Sequence, residues 1–454
     1  MRTWKILMTM IAVIFALNFA TFSFGAVSPE EAAKLGTTWT RFGAEMSGNK
    51  EGTIPAYTGG LTKPPANYVA GSGRYTDPFA GEKPLFSINA QNMNQHADKL
   101  TDGTKALIRK FPTFRIDIYK THRTIAYPEF VLKNTAKNAV TAKTTNGGLS
   151  VQDAHGGIPF PIPKDGYEVM WNHLLRFVGR ATDTKYESYV ADSSGRLINI
   201  QQTLAWEEFP YYDEDQTRAD SHLYWKVRVF YNGPPRKAGE RLILLDPINM
   251  YEKGRVAYQY LPGQRRVKLA PEIGFDTPDS GTSGNDTYDE SFLFNGSMER
   301  YNFKLIGKKE FYIPYNDYTA IYGIKRDDLF GPKHLNPDVI RWEMHRMWVV
   351  EATLKPGKRH MYPKRRFYVD EDSWIVLSCE NFDARTNLFK VGFAYLTTSY
   401  DVPACSARFS SNYNLISGCY SGNIWPGLEG YSRPAKVRPY NEWTSQAMAG
   451  TGIR

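Results

Sequence analysis

The sequence predicts an α+β protein built around one large antiparallel β-sheet. Three observations indicate this class. Residues 340–354 (IRWEMHRMWVVEATL) alternate between apolar and polar side chains, which is the period of a half-buried strand. Strand-like runs separated by turns of Gly, Pro, Asp and Ser fill residues 185–269 and 359–395, a pattern typical of hairpins. Helical signals lie mainly in the first third of the chain, so helices are expected to pack over one face of a sheet wide enough to curl.

The alternating run would be the central strand of the sheet. Trp342, Met344 and Trp348 share one face, which also carries a single charge, Arg346. His345 falls on the opposite, mostly polar face. A buried arginine needs a partner, because an unpaired buried charge is strongly destabilising. Two interpretations stay open: Arg346 holds a ligand head group or pins a covering helix, or it is structural, either in an ion pair or at an irregularity that turns it outward.

The composition is that of a folded chain with a large core. Of the 454 residues, 42% are hydrophobic and 14% aromatic, and the abundance of Tyr and Trp suits a β-rich protein. The mean hydropathy of −0.47 argues against a bundle of membrane helices. The net charge of +9 is scattered along the chain, so nucleic acid is not an expected partner.

The first 25 residues have the pattern of a signal peptide. Arg2 and Lys5 precede an apolar stretch, residues 6–22, and small residues near position 25 mark a cleavage site. An uncleaved membrane anchor is the alternative, but polar residues interrupt the stretch. No cysteine lies near the cleavage point, so we expect an exported protein without a lipid anchor.

The remaining pattern divides into three parts. Residues 26–180 are predicted to be a segment rich in helices and loops that packs on the sheet. Residues 181–400 are predicted to form the sheet, and residues 401–454 a loop-rich tail. Residues 277–288, rich in Gly, Ser, Asp and Thr, are predicted to be an internal linker.

The three cysteines allow one disulfide in an exported protein. Cys405 and Cys419 flank a stretch rich in Ser, Asn and Gly, and we expect a bridge between them. Cys379 lies in a strand-like run and is expected to be a buried free thiol. Three scattered cysteines do not form a zinc site.

Several segments resemble one exported Gram-negative family of unknown function. The segments are VSPEEAAKLG (27–36), FPTFRIDIYKTHR (111–123), GIPFPIP (157–163), GQRRVKLAP (263–271), and HRMWVVEATL (345–354) with DEDSW (370–374). This family is grouped by fold with the outer-membrane lipoprotein-sorting proteins LolA and LolB. The present chain is about twice as long as LolA, so its extra segments could fill or cover the hollow of that fold.

The resemblance implies an open, curved half-barrel with helices packed over its concave side. In LolA-like proteins the hollow holds acyl chains. A closed core would use the same side chains, so the sequence does not decide between a cavity and a core. The residues expected to face the hollow are Trp225, Val227, Val229, Trp342, Met344, Arg346, Trp348, Phe389 and Phe393.

Catalytic and metal chemistry is not expected. His173 and His345 are candidate acid/base groups, but the histidines lack the spacing of metal ligands. Residues 207–208 and 213–215 are acidic, as glycoside hydrolysis would require, and are interpreted as solvated loops. The chain has no G-x-S-x-G motif.

These observations favour a periplasmic, non-enzymatic carrier or chaperone of a lipid-like molecule that uses no cofactor. The resemblance implies an inner-membrane transporter and an outer-membrane protein as further partners. An accessory or interaction protein of an envelope transporter is the alternative. A hydrolase of an envelope ester or glycan is a third hypothesis, for which the sequence shows no converging catalytic set.

Overall fold

The computed structural model describes residues 26–451. The predicted signal peptide, residues 1–25, lies outside the described residues. Six α-helices are present in the described range, and none of them is long and apolar enough to cross a membrane. They are α1 (Pro29–Ala32), α2 (Asp102–Lys110), α3 (Glu129–Thr141), α4 (Gly166–Leu174), α5 (Arg326–Leu329) and α6 (Ser445–Thr451).

The same range contains twenty β-strands. They are β1 (Phe86–Ile88), β2 (Ile116–Ile118), β3 (Lys143–Thr145), β4 (Ser150–Gln152), β5 (Ala181–Ala191), β6 (Leu197–Glu208), β7 (Leu223–Gly233), β8 (Arg241–Pro247), β9 (Val256–Leu261), β10 (Arg266–Leu269), β11 (Tyr301–Pro314), β12 (Arg341–Leu354), β13 (Lys364–Asp370), β14 (Val376–Phe382), β15 (Leu388–Ala394), β16 (Thr397–Ser399), β17 (Ala404–Ser406), β18 (Ser410–Asn414), β19 (Tyr420–Trp425) and β20 (Tyr431–Pro434).

Sixteen of these strands form one open sheet that does not close into a barrel. Its order is β1-β2-β12-β13-β14-β15-β18-β19-β5-β6-β7-β8-β9-β10, with β11 also paired to β12 and β20 to β5. All pairs are antiparallel except the short contact of β2 with β12. The predicted class, an α+β chain built on a large antiparallel sheet, is therefore confirmed.

The C-terminal residues lie in the middle of the sheet. β18 pairs with β15, and β19 pairs with β5, so this hairpin joins the two runs of strands that the sequence predicts. The expectation of a loop-rich tail over residues 401–454 is wrong in this part. The two strands are short and rich in Ser, Asn and Gly, and backbone bonds to both neighbours hold them in place.

Strand β12 is buried on both faces along most of its length. Trp342 and Met344 belong to one core, whereas Met347 and Val349 belong to another. His345, expected on a polar face, is 2% exposed and stacks on the ring of Tyr315 at 3.6 Å. Segments from elsewhere in the chain cover the face that the sequence pattern assigns to solvent.

The three cysteines are free thiols, so the predicted disulfide between Cys405 and Cys419 is wrong. Cys405 lies buried on β17, where its thiol donates to the carbonyl of Phe177 at 3.3 Å. Cys419 lies at the far end of the β18–β19 hairpin, so the length of a five-residue strand separates the two sulfurs. Cys379 is a buried free thiol, as predicted.

Helix α4 fixes the N-terminal segment against the sheet. It packs on β11 and β12. The indole of Trp171 donates to the carbonyl of Gly148 at 2.8 Å. The amide of Asn172 accepts from the backbone N–H of Phe160 at 3.0 Å and donates to its carbonyl at 2.7 Å. The polar side chains of this helix thereby satisfy buried backbone groups of two loops.

The first turn of α4 contains a buried carboxyl group. Asp165 caps the helix by accepting the N–H of Glu168 at 2.9 Å. Glu168 is 2% exposed, and its Oε2 accepts the N–H of Lys164 at 2.6 Å. Its other oxygen has no partner among residues 26–451. Burial raises the pKa of Glu168 from 4.5 to about 7.

We expect Glu168→Gln to reduce the loss of stability that accompanies rising pH. The folded state binds the proton of the Glu168 carboxyl group more tightly than the unfolded chain does. The stabilisation by this protonated group is therefore fully present below pH 4.5 and is lost as pH rises through 7. Between pH 5 and pH 8 the wild-type free energy of unfolding should fall by about 2–3 kcal/mol more than that of the variant. Urea unfolding at the two pH values measures the difference, with the exposed Glu51→Gln as control. Parallel pH profiles for wild type and Glu168→Gln would contradict the assignment.

Candidate functional site

A cavity of about 90 Å³ lies between strands β5–β8 and the segment after β10. Residues 279–293 of that segment, here called the cover segment, include two 3-10 turns, Ser280–Thr282 and Tyr288–Leu293. Residues of β18, of β19 and of the loop before β18 complete the lining. The cavity is therefore built from parts of the chain that are far apart in sequence.

The side of the cavity formed by the strands is mostly apolar. Alternate residues of a strand point to the same face, and the register places Val227 opposite Leu244 and Val229 opposite Leu242. This face also carries aromatic rings from β5 and β7. The strand residues with apolar or aromatic side chains at the cavity are Tyr186, Ala205, Trp225, Val227, Val229, Tyr231, Leu242 and Leu244.

Buried ion pairs hold the cover segment on the sheet. The ammonium group of Lys390, on β15, donates to both carboxylate oxygens of Glu290, at 3.1 and 2.9 Å, and to Asp286 at 3.2 Å. Asp289 accepts from Arg365 on β13 at 3.0 Å. The interpretation of residues 277–288 as a linker is therefore wrong, because they belong to a segment that buried ion pairs of Asp286, Asp289 and Glu290 hold against the sheet.

Charged side chains from strand β6, the cover segment and the loop before β18 also line the cavity. Glu207 forms an ion pair with Arg408, whose Nη2 also donates to Thr182 at 2.8 Å. Burial lowers the pKa of Arg408 to about 9. Asp279 is half-buried and accepts the N–H of Gly281 at 2.7 Å. Burial raises the pKa of Asp279 to about 6, so this carboxylate is ionised at neutral pH.

Three polar atoms of lining residues lack a hydrogen-bond partner within the described part of the chain. They are Nε1 of Trp225, Oε1 of Gln201 and Oδ1 of Asn423. Trp225 is 4% and Gln201 is 6% exposed. Since buried polar atoms are nearly always paired, a bound molecule that supplies one acceptor and two donors would complete this lining.

Three of the residues predicted to face a hollow line this cavity: Trp225, Val227 and Val229. Trp342, Met344 and Phe393 do not, because they pack together in the second core, where the rings of Trp342 and Phe393 are 5.2 Å apart. The structure thus brings together the predicted residues of β7 and separates them from those of β12 and β15.

The other three predicted residues lie apart from the cavity. Trp348 stacks on Trp374 with ring centroids 6.3 Å apart. Phe389 lies 5.8 Å from the ring of Tyr362. None of Trp348, Phe389 and Arg346 contributes to the cavity lining.

Arg346 takes part in a buried ion-pair network. It is 6% exposed, and its Nη1 and Nε lie 3.2 Å from Glu371 and 3.4 Å from Glu45. Of the two interpretations that the sequence leaves open, this geometry favours the structural ion pair.

The Thr-His-Arg motif at residues 121–123 ties the N-terminal segment to this network. Thr121 bonds to the backbone of β12, and the N–H of His122 donates to Glu343 at 2.8 Å. Arg123 donates twice to Asp372, at 2.9 and 2.6 Å. The motif therefore has a structural role that the sequence alone does not reveal.

The candidate acid/base histidines are used for structure. His173 is fully buried; its Nδ1 accepts from the N–H of Val376 at 3.1 Å, so its Nε2 donates to the carbonyl of Phe294 at 2.9 Å. Burial lowers the pKa of His173 well below its ordinary value, so the ring is neutral. His345 lies 3.2 Å from Glu343.

The candidate hydrolase carboxylates do not form a pair in a cleft. Glu207 and Glu208 are buried rather than solvated: Glu207 pairs with Arg408, and Glu208 lies 2.8 Å from Lys226. Residues 213–215 lie on a mostly exposed loop. Within residues 26–451, no group of three His, Cys, Asp or Glu side chains could hold a metal ion.

Sequence reasoning missed the cover segment and Arg408. Both occur in stretches whose Ser, Asn, Asp and Gly content is typical of solvated loops.

The fold and the cavity define an α+β protein with an open sheet and an amphipathic cavity between that sheet and the cover segment. The chain belongs to the DUF1329 family, described as proteins of unknown function, whose pattern it matches over residues 87–449. It is 39% identical over 462 residues to an uncharacterized protein of Pseudomonas aeruginosa, and the match covers 100% of both chains. The resemblance drawn from the sequence segments is thereby confirmed.

Solved structures with a similar arrangement share little sequence with this chain. A putative outer-membrane lipoprotein-sorting protein domain from Vibrio parahaemolyticus has a TM-score of 0.41 at 13% identity, covering 59% of this chain and 91% of that one. A DUF1329 family protein from Desulfovibrio piger has a TM-score of 0.38 at 12% identity, with coverages of 60% and 92%. A LolA superfamily protein from Nitrosomonas europaea has a TM-score of 0.35 at 9% identity, with coverages of 63% and 100%.

Proposed function

We propose that this protein is a non-enzymatic carrier that binds a hydrophobic or lipid-like molecule between strands β5–β8 and the cover segment. The observation that supports the proposal is the cavity itself, which has an apolar strand face and lies beneath a segment held by buried ion pairs and buried apolar side chains. Burial of an apolar ligand against Val227, Val229 and Leu244 would provide the binding energy, at about 25 cal/mol per Å² of apolar surface. The family resemblance supports a periplasmic location for this role.

The free volume of 90 Å³ accommodates a small chemical group, so a longer chain needs additional space. Such space lies beyond Arg408, where a second pocket of about 420 Å³ is lined by Phe130, Phe177 and Val178. Arg408 lines both pockets. On strand β5, Thr184 lines the first pocket and Thr182 lines the second. A ligand could extend from one pocket to the other if the ion pair of Arg408 with Glu207 opened.

Phe292 of the cover segment fills part of the hollow. Its ring is 7% exposed and meets the indole of Trp225 edge-on, at 6.0 Å between ring centroids. Removal of the ring would enlarge the cavity without altering the ion pairs of Lys390. The position is thus suited to a test of binding.

We expect Phe292→Ala to increase the uptake of a fluorescent fatty acid several-fold, and Val229→Trp to abolish it, because the first substitution enlarges the cavity and the second fills it. Fluorescence titration of the delipidated protein measures both effects. Phe311→Ala is the matched control, since this ring is also 7% exposed but lies outside the cavity. Equal behaviour of all three variants, with no ligand detected by native mass spectrometry, would contradict the carrier proposal and favour the transporter-accessory alternative.

A further inference from the structure

The cavity beneath the cover segment is unusually rich in aromatic rings for its size. Five of the side chains that line it are aromatic: Tyr186, Trp225, Tyr231, Tyr288 and Phe292. The rings of Trp225 and Phe292 meet at an angle of 87°, so their faces form a corner. Aromatic faces carry partial negative charge and attract cations, most strongly where water is excluded.

The charges at the cavity are unbalanced toward the negative. Four carboxylates line it, from Glu207, Asp279, Asp286 and Glu290, and the guanidinium of Arg408 is the single cationic group among the lining residues described. Arg408 pairs with Glu207. Lys390, which lies behind the lining, is shared between Asp286 and Glu290.

Asp279 is the lining carboxylate that lacks a close ion pair, although the charge of Lys237 acts on it from a greater distance. Within residues 26–451, no basic side chain forms an ion pair with it at 4.0 Å or less. Lys237 approaches the same region, but its ammonium group pairs with Glu240 at 3.3 Å and donates to Ser280 at 2.9 Å. The ammonium of Lys237 also lies 4.9 Å from the centre of the Tyr231 ring, which already places a cation on one of the aromatic rings of the cavity.

Gln201 and Asn423 contribute acceptors that lack donors. Their side-chain carbonyl oxygens, Oε1 and Oδ1, have no partner in the described part of the chain, and both residues line the cavity. Gly281 lets the cover segment approach Gln201 closely, since a Cβ at this position would lie 3.1 Å from Gln201 Oε1. A ligand group that donates hydrogen bonds would satisfy these oxygens, and a positive charge would be attracted to them.

We propose that the cavity recognises an ammonium group, with the aromatic ring of Trp225 beside the cation and Asp279 as its counter-ion. This inference rests on the proposed function, because it names the polar head of the molecule that the same cavity would bind. The chemical class is an amphiphile with an amine or quaternary ammonium head. The volume of the cavity matches a compact head group better than an acyl chain.

Calorimetric titration of the full mature chain tests the proposal with choline and with 3,3-dimethyl-1-butanol, the uncharged carbon analogue of choline. We expect wild type to bind choline at least tenfold more tightly than the analogue. Asp279→Asn, which keeps the size of the side chain and can still accept from Gly281, should weaken choline binding about tenfold and leave analogue binding unchanged. The exposed Asp215→Asn serves as the charge-matched control.

The outcomes separate the two proposals. Equal binding of choline and the analogue, or unchanged choline binding in Asp279→Asn, would overturn the ammonium inference. Fatty-acid uptake by Phe292→Ala without any choline binding would also overturn it and would leave the carrier proposal intact. Choline binding that depends on Asp279 in a protein that takes up no fatty acid would support the ammonium site and contradict the hydrophobic carrier.

Discussion

Substitution of Lys390 by methionine is expected to destabilise the protein by about 3–5 kcal/mol, because it leaves buried carboxylates without their cation. Lys390 is 1% exposed and bonds to Glu290 and Asp286 of the cover segment and to the carbonyl of Asn285. Methionine keeps most of the apolar part of the lysine side chain, so the loss of stability is due mainly to removal of the ammonium charge. Urea unfolding followed by tryptophan fluorescence measures the free energy of unfolding.

Two further variants identify the cause of that loss. Lys304→Met removes an exposed lysine from a strand of the same sheet and should change stability by less than about 0.5 kcal/mol. Glu290→Gln in the Lys390→Met background removes one of the unpaired charges and should recover part of the stability. A loss below about 1 kcal/mol for Lys390→Met, or no recovery in the double variant, would contradict the assigned role of the ion pairs.

Substitution of Trp374 by alanine is the second change with a large expected effect, a loss of about 3–5 kcal/mol from the cavity it would create. Trp374 is fully buried after the acidic turn that follows β13. Its indole stacks on Trp348, and its Nε1 donates to the carbonyl of Phe42 at 2.9 Å. This side chain therefore links the sheet to the N-terminal segment.

Trp374→Phe separates packing from hydrogen bonding. It keeps an aromatic ring but leaves the Phe42 carbonyl without its donor, so a loss of about 1–3 kcal/mol is expected. Tyr251→Ala, at a site 66% exposed, is the control and should be nearly neutral. Equal stabilities of Trp374→Phe and Trp374→Ala in urea unfolding would contradict the role of the ring.

The features that the sequence predicts correctly are the local ones. The alternation of apolar and polar residues and the residues of a turn lie within a few neighbouring positions of the sequence. The hairpins of β5–β6, β9–β10 and β13–β15 can therefore be recognised directly. The same periodicity places Trp225, Val227 and Val229 on one face of β7, where they line the cavity. Part of the site is thus predictable from a single strand.

The features that the sequence does not predict depend on contacts between distant residues. Lys390 and Glu290 are 100 positions apart, and nothing near either residue indicates that they meet. Without that contact, the polar composition of residues 277–288 indicates a linker. The predicted disulfide is wrong for a related reason. The stretch between Cys405 and Cys419 contains a strand, β18, rather than a free loop.

The position of the β18–β19 hairpin sets a condition on how the chain folds. Strands β5–β10 form one part of the sheet and strands β1, β2 and β11–β15 form the other, and this hairpin lies between them. During synthesis, both parts are complete before the connecting strands emerge. The first part must keep the edge of β5 unpaired while more than 200 further residues are added, since β5 ends at Ala191 and its partner β19 begins at Tyr420. Exposed edges of this kind invite pairing with other chains, so the interval before the C-terminus arrives is when this protein depends most on protection from aggregation.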